Sequence, residues 1–222
     1  FVDVGATDFD EATDLVEIGD PISVDAEVIE LPNNRLVSRA TDDKVGAWVV
    51  AEVLREMSLL PIHERPTVVS VATVQEEIGL RGAEMITQTL KPNVAIVTDV
   101  CHDTTTPMIE KKVEGETKCG DGPVISYAPA IQHNLRDLII EAAEENNIPF
   151  QRHASSRATG TDTDAFAYSN GGVPSALISL ALRYMHTTVE MVNKEDVENV
   201  IKLIYESLLK IEEGETFSYF KE

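Results

Sequence analysis

Cysteine and aromatic residues are scarce in this sequence of 222 residues, which has two cysteines, one tryptophan and 5% aromatic residues. Cys101 and Cys119 have neither the number nor the spacing of a disulfide framework or a zinc–cysteine site. Two ordinary free thiols are the simplest interpretation, and they favour a reducing, cytoplasmic location. The sequence also has no run of about 18 apolar residues, so we predict no membrane span and no membrane partner.

Basic residues are few as well, with 18 Lys and Arg against 39 Asp and Glu and a net charge of −21. Such a charge repels nucleic acid phosphates, so no nucleic acid partner is predicted. The same charge attracts cations, including divalent metals. For most of the individual acidic residues, the simplest interpretation is that they lie on the surface and keep the protein soluble.

Predicted strands and helices alternate after residue 39. The strands are 67–74, 93–100 and 175–180, and the helices are 44–57, 81–90, 132–147 and one that begins near Asn193. This alternation predicts an α/β fold, a three-layer sandwich around a mostly parallel sheet. Residues 1–38 instead show β character with turns, which is typical of a small barrel or a hairpin.

Polar residues stand where the predicted strands end. They are Glu76 and Glu77 after the first strand, Asp99 in the second and His186 after the third, together with Asp42 or Asp43 at the start of a helix. Because ligands bind beyond the carboxyl ends of strands in such sheets, we expect these side chains to converge. Converging carboxylates repel one another unless cations are bound. Asp, Glu and His donors suit zinc, cobalt or manganese, and two adjacent ions can activate a shared water.

Each residue also has a simpler interpretation. Asp42 or Asp43 alone is a helix cap, Asp99 alone a turn residue, and His186 alone a structural histidine. Glu76 and Glu77 are adjacent and would point to opposite faces of a regular strand, so they serve one site only if a turn begins there. A glycosidase needs two carboxyl groups about 5–9.5 Å apart that flank the bond, which adjacent residues provide poorly.

Six segments occur in the order found in one known family. They are RATDDKVG at 39–46, TVQEEIGLRGA at 73–83, VTDV at 97–100, GTD at 160–162, GVP at 172–174 and RYMH at 183–186. On these segments the chain resembles the dinuclear metallo-aminopeptidases that include glutamyl aminopeptidase and the tetrahedral aminopeptidases, some relatives of which are labelled endoglucanases. The resemblance implies a zinc-peptidase-like fold, peptide substrates and a homo-oligomer in the full-length protein. It also implies that residues 1–38 are part of the family's small inserted β-domain, which is used there in assembly, and that 39–222 form the catalytic domain.

The resemblance also implies roles for individual residues. Asp42 resembles the carboxylate that bridges two divalent metal ions. Zinc and cobalt are the expected metals, and manganese is the next choice. Glu77 and His186 resemble the ligands of one ion, and Asp99 resembles a ligand of the other. Glu76 resembles the general base that takes a proton from the attacking water and passes it to the leaving amine.

One element of the family pattern is missing from the sequence. The family has a further His ligand in a His-x-Asp motif upstream, and none of the five histidines here lies in such a motif. We therefore expect the family's N-terminal part to be missing from this chain and the ion near Asp99 to bind weakly without it. A catalytically silent scaffold and a glycoside hydrolase remain the alternative functions.

Overall fold

A computed structural model describes residues 2–219 of the chain. Its helices are α1 (Phe9–Leu15), α2 (Thr41–Leu59), α3 (Arg81–Leu90), α4 (Lys111–Glu114), α5 (His133–Glu145), α6 (Asp162–Ala167) and α7 (Lys194–Lys210), with a 3₁₀ turn at Ile62–Glu64. Its strands are β1 (Ile29–Leu31), β2 (Arg35–Ser38), β3 (Ala95–His102), β4 (Val124–Tyr127), β5 (Gln151–Ala154), β6 (Ser175–Leu182) and β7 (Glu190–Asn193).

The central sheet has four strands in the order β3-β6-β4-β5. β3 and β6 are parallel over eight residues each, from Ala95 opposite Ser175 to His102 opposite Leu182. β4 and β5 are also parallel, whereas β4 and β6 are antiparallel. The sheet is therefore mixed but mostly parallel, which confirms the predicted fold class.

Helices cover both faces of this sheet. α2, α5 and α7 pack on one face around the main core, which includes Ile178 and Leu180 of β6. α3 and α6 pack on the other face, where Ala95 and Val97 of β3 meet Phe166. Every residue of β6 is buried, as expected for a strand covered on both faces.

A second, antiparallel sheet joins β1, β2 and β7. Asn33 and Asn34 form the turn of the β1–β2 hairpin with φ of 64° and 58°, a left-handed conformation that asparagine tolerates well. β2 then pairs with β7, from Arg35 opposite Asn193 to Ser38 opposite Glu190. The hairpin thus leads directly into α2, and the domain boundary after residue 38 stays a prediction.

The β character predicted for residues 1–38 is confirmed at 29–38, where β1 and β2 pair as a hairpin. It is wrong at 2–28, which contain α1, capped by the Asp8 side chain, and no strand. Phe1 lies outside the described residues. The predicted strand at 67–74 is also wrong. The segment 67–74 pairs with no strand of residues 2–219, and its residues alternate between half-buried and exposed, with Val69 and Val74 exposed. Apolar content alone predicted burial on both faces, but a strand also requires a hydrogen-bonding neighbour.

The longer elements agree with the prediction. The four predicted helices correspond to α2, α3, α5 and α7, and Asn193 caps α7 by accepting the Glu195 N–H. Short elements such as β4, β5, β7 and α6 were not predicted. None of the helices within residues 2–219 combines the length and apolar character that crossing a membrane requires.

Two leucines on α7 test how the core stabilises this fold. Leu203 is fully buried, whereas Leu209 is 39% exposed. We expect Leu203→Ala to lower the free energy of unfolding by about 2–5 kcal/mol, because it leaves a cavity in the core. Leu209→Ala, the matched control, should change it by less than about 1 kcal/mol. Urea unfolding followed by circular dichroism measures both, and equal losses would contradict the assigned packing of α7.

Candidate metal centre

A cavity of about 340 Å³ lies at the carboxyl end of β3. All five predicted site residues line it: Asp42, Glu76, Glu77, Asp99 and His186. They come from the start of α2, the turn before α3, the strand β3 and the turn after β6. The structure therefore brings together residues that were predicted from separate strand ends.

Asp42 and Asp43 have different surroundings at the start of α2. Both have non-helical backbone angles, and regular helix begins after them. The Asp43 side chain accepts the Gly46 N–H at 3.0 Å and so caps this helix. A Cβ atom at residue 46 would lie 2.0 Å from Asp43 Oδ2, which explains the glycine there. Because Asp43 acts as the cap, the Asp42 carboxylate is left for the cavity.

Glu76 and Glu77 lie in a turn, which is the condition under which neighbouring residues can serve one site. Gln75 has a left-handed φ of 62°, and the Glu76 carbonyl accepts the Gly79 N–H at 3.0 Å. The Gly82 N–H donates to the Val74 carbonyl at 3.0 Å, which holds the first turn of α3 against this loop. Both glutamates therefore line the same cavity.

Asp42, Glu77 and His186 form a compact group that is suited to a metal ion. One potential ligand atom from each lies within 4.8 Å of the other two. His186 Nε2 is 3.0 Å from Asp42 Oδ2 and 3.7 Å from Glu77 Oε2. The imidazole is 65% exposed, so a ligand reaches it from solvent. Two carboxylates and one imidazole are a donor set that zinc and cobalt accept.

Asp99 lies in the same cavity but outside this group of three. It is buried in β3, and its Oδ1 accepts the N–H of Val100 at 2.7 Å. His102 and His153 also line the cavity, and neither joins a three-ligand group among the described residues. His102 is the last residue of β3.

Burial and mutual repulsion raise the pKa values of the carboxyl groups in this cavity. Burial, together with the nearby Glu77 carboxylate, raises the pKa of Asp42 to about 6. Burial, with smaller contributions from neighbouring carboxylates, raises the pKa of both Glu76 and Asp99 to about 7. The pKa of Asp43 rises to about 9, mainly through burial and then through Asp99. A bound cation would relieve this repulsion, so the electrostatics as well as the geometry fit a metal centre.

Cys101 lies beside these carboxylates without being a plausible nucleophile. Burial, followed by the neighbouring Asp99 carboxylate, raises the pKa of its thiol to about 12. The reactive thiolate is therefore strongly disfavoured. This agrees with the expectation that both cysteines are ordinary free thiols.

Sequence reasoning missed two acidic residues that support the site. The buried Glu190 accepts the backbone N–H groups of Asp42 and His186. Asp162 accepts the Thr73 hydroxyl, and its charge helps to raise the pKa of Glu76. Asp162 lies in the GTD segment, whose other two residues line the cavity. For Glu190, the only sequence feature that pointed to the site was its position four residues after His186.

Comparison with known proteins agrees with this geometry. Residues 1–203 match the family described as M42 glutamyl aminopeptidase. The lysyl aminopeptidase of Pyrococcus furiosus is 36% identical over 203 residues, which cover 91% of this chain and 57% of that protein.

Solved structures give the same assignment. The crystal structure of a TET aminopeptidase from a marine sediment archaeon of the Thaumarchaeota has a TM-score of 0.84 at 33% identity, covering 94% of this chain and 59% of that one. The TET1 peptidase of Pyrococcus horikoshii, which assembles into a tetrahedron or an octahedral shell, has a TM-score of 0.75 at 26% identity, with 94% and 60% covered. A Thermotoga maritima structure labelled endoglucanase has a TM-score of 0.64 at 32% identity, with 90% and 57% covered.

The chain thus spans less than two thirds of the length of these similar proteins. The family match nevertheless extends over most of the chain and includes all five predicted site residues. This chain belongs to the M42 glutamyl aminopeptidase family.

Proposed function

We propose that this protein is a metal-dependent aminopeptidase that removes N-terminal residues from peptides. The observation that supports it most directly is the group of Asp42, Glu77 and His186, with Glu76 lining the same cavity. Peptidases of this family are metal-dependent, and this group offers three suitable ligand atoms.

Two sets of residues would hold the ions. Asp42, Glu77 and His186 would bind the first, and Asp42 together with Asp99 would bind the second. Zinc or cobalt suits the first set best, since it contains an imidazole, and manganese is the next choice. When bound, such ions supply Lewis-acid activation of the peptide carbonyl and of a water molecule.

Glu76 is the proposed general base. It lies in the same turn as Glu77, and its pKa of about 7 suits proton transfer near neutral pH. In this role Glu76 accepts a proton from the attacking water and later donates it to the amine that leaves. The carboxylate lining of the cavity attracts a protonated α-amino group, which favours substrates with a free N-terminus.

The preferred N-terminal residue is proposed from the charges of the cavity. Its lining includes Glu114 besides the site carboxylates, and no Lys or Arg within residues 2–219 contributes to it. No ion pair of Glu114 is found among the described residues, so its charge is available to a substrate. A cationic side chain, as in the name of the lysyl relative, therefore fits better than an acidic one.

Other parts of the proposal rest on less direct support. Assembly into a homo-oligomer is supported by the TET1 neighbour, and a cytoplasmic location by the two free thiols. Glycoside hydrolysis is supported by the names of two similar structures that mention an endoglucanase. The adjacent Glu76 and Glu77 lie in one turn of the cavity wall, and neighbouring residues provide poorly the facing carboxylate pair that glycosidases use.

Replacement of Glu76 tests the proposed reaction. Glu76→Gln should lower kcat on an aminoacyl-p-nitroanilide by about 10²–10⁴-fold, because the amide cannot accept the proton. Cobalt binding measured by calorimetry should stay near that of the original protein. Glu84→Gln, on the exposed surface of α3, is the matched control and should leave both quantities unchanged.

Four further results decide among the alternatives. EDTA should abolish activity, and an N-acetylated substrate should not be cleaved. Metal binding without turnover in the original protein would favour the silent scaffold. Cleavage of a β-glucan in the presence of EDTA would favour the glycoside hydrolase.

Substrate charge gives a second test. At low salt, kcat/KM for a lysyl p-nitroanilide should exceed that for the glutamyl substrate by at least about fivefold, which corresponds to roughly 1 kcal/mol for one charge pair. High salt should reduce the difference, because it screens the charges. Glu114→Gln should reduce it as well, whereas Glu84→Gln should not. A preference for the glutamyl substrate would contradict the proposed specificity.

The raised pKa values also predict how stability depends on pH. Without metal, the folded cavity holds protons that the unfolded chain would release at the ordinary carboxyl pKa of about 4. The protonated forms of Asp42, Glu76 and Asp99 therefore stabilise the folded state fully below about pH 4. This stabilisation is lost as the pH rises through 6 and 7, where these groups lose their protons in the folded protein. In EDTA, the free energy of unfolding should be greater at about pH 5 than at about pH 8.

Calorimetric unfolding at the two pH values measures this difference. Asp99→Asn should reduce it, because the variant removes one of the titrating groups. Added cobalt should raise the unfolding temperature more at the higher pH, where protons no longer compete for the carboxylates. A metal-free protein that is more stable at the higher pH would contradict this account of the cavity.

A further inference from the structure

Glu190 connects the two chain segments that carry Asp42 and His186. It is the first residue of β7, and only 2% of its surface is exposed. Its Oε2 accepts the Asp42 N–H at 3.0 Å, and its Oε1 accepts the His186 N–H at 2.8 Å. One carboxylate therefore contacts two potential metal ligands through their backbones.

No lysine or arginine pairs with Glu190 among the residues that the structure describes. A buried carboxylate without a cationic partner costs free energy unless strong hydrogen bonds offset it. The two backbone N–H groups supply such bonds, which are charge-assisted. Placing Glu190 here is therefore favourable only while both segments keep their positions.

Both of these segments have uncommon backbone conformations. His186 has a left-handed φ of 61°, and Ala40, two residues before Asp42, has a φ of 52°. Residues other than glycine keep such conformations only when surrounding contacts hold them. The pairing of β2 with β7 places Ser38 opposite Glu190, so the carboxylate lies at the point where the chain turns from β2 into α2.

We infer that Glu190 is a positioning residue that fixes the separation of Asp42 and His186, and thereby the metal affinity of the group they form with Glu77. This inference rests on the proposed function, since it concerns the same metal centre. Glu190 itself does not line the cavity. It acts on the backbones of the two ligand residues.

Asp196 provides a matched comparison for a carboxylate with a purely structural role. It is 1% exposed and accepts two backbone N–H groups, from Gly120 at 2.6 Å and from Gly122 at 2.9 Å. Its burial and bonding thus resemble those of Glu190. The glycines that donate to Asp196 do not line the cavity, however, whereas the residues that donate to Glu190 do. A variant of each residue separates positioning of the ligands from general stabilisation.

The test compares Glu190→Gln with Asp196→Asn in cobalt titrations of the folded proteins. The glutamine oxygen can accept one N–H, but its amide group opposes the second. We expect Glu190→Gln to weaken cobalt binding by about 10–100-fold by calorimetry and to alter the cobalt absorption spectrum. Excess cobalt should restore most of the peptidase activity. Asp196→Asn should lower the unfolding temperature and leave cobalt affinity unchanged.

Cobalt affinity equal to the original in Glu190→Gln would overturn the inference, and so would an equal loss in both variants. Should Glu190→Gln fail to fold, Glu190→Asp is interpreted by the same criteria, since it keeps the charge but shortens the reach. A lack of cobalt binding in the original protein would instead reject the proposed metal centre itself. Failure of the inference and failure of the function are therefore distinguishable.

Discussion

The crowding of carboxylates around one partly desolvated cavity is the constraint on which the candidate site depends. Asp42, Glu76, Glu77 and Asp99 line one cavity, and burial raises the pKa of three of them to between about 6 and about 7. A protein retains such an arrangement at a cost in stability, because each charge destabilises the others. This cost is offset if the cavity binds cations, because each carboxylate would then be attracted to the bound ions.

The rest of the fold holds these charges together. β3 and β6 run parallel, so that Asp99 and the turn leading to His186 reach the same end of the sheet. α2 packs against β3 and α7, which brings Asp42 to that end from a distant part of the sequence. The antiparallel sheet adds the last connection, because β7 carries Glu190 between the α2 segment and the His186 turn. The apolar core thus supplies the rigidity that the charged cavity lacks.

Sequence reasoning predicted the parts of this arrangement that depend on local pattern. The long amphipathic helices and the strands β3 and β6 were recognisable from their apolar periodicity, and the polar residues at their ends followed from fold topology. The segment 67–74 failed because its valines predict a strand whether or not a neighbour exists to pair with it. Glu190 could not be predicted for a related reason. Its carboxylate accepts the N–H of Asp42, which is 148 residues away in the sequence, and no local pattern indicates such a contact.

Backbone hydrogen bonds separate the acidic residues of the site into two kinds. Asp43 and Glu190 accept N–H groups from other residues, and these bonds use the lone pairs that a ligand atom would need. The side chains of Asp42 and Glu77 instead contact the imidazole of His186, and Glu76 has no such backbone donor among the described residues. Among these five residues, the carboxylates without backbone donors are the ones free to bind ions or move protons. Asp99 differs, because its Oδ1 accepts the adjacent Val100 N–H and its other oxygen is the one left for the proposed second ion. The distinction between adjacent Asp42 and Asp43 therefore follows from whether a helix N–H lies within reach, a difference that their shared residue type conceals.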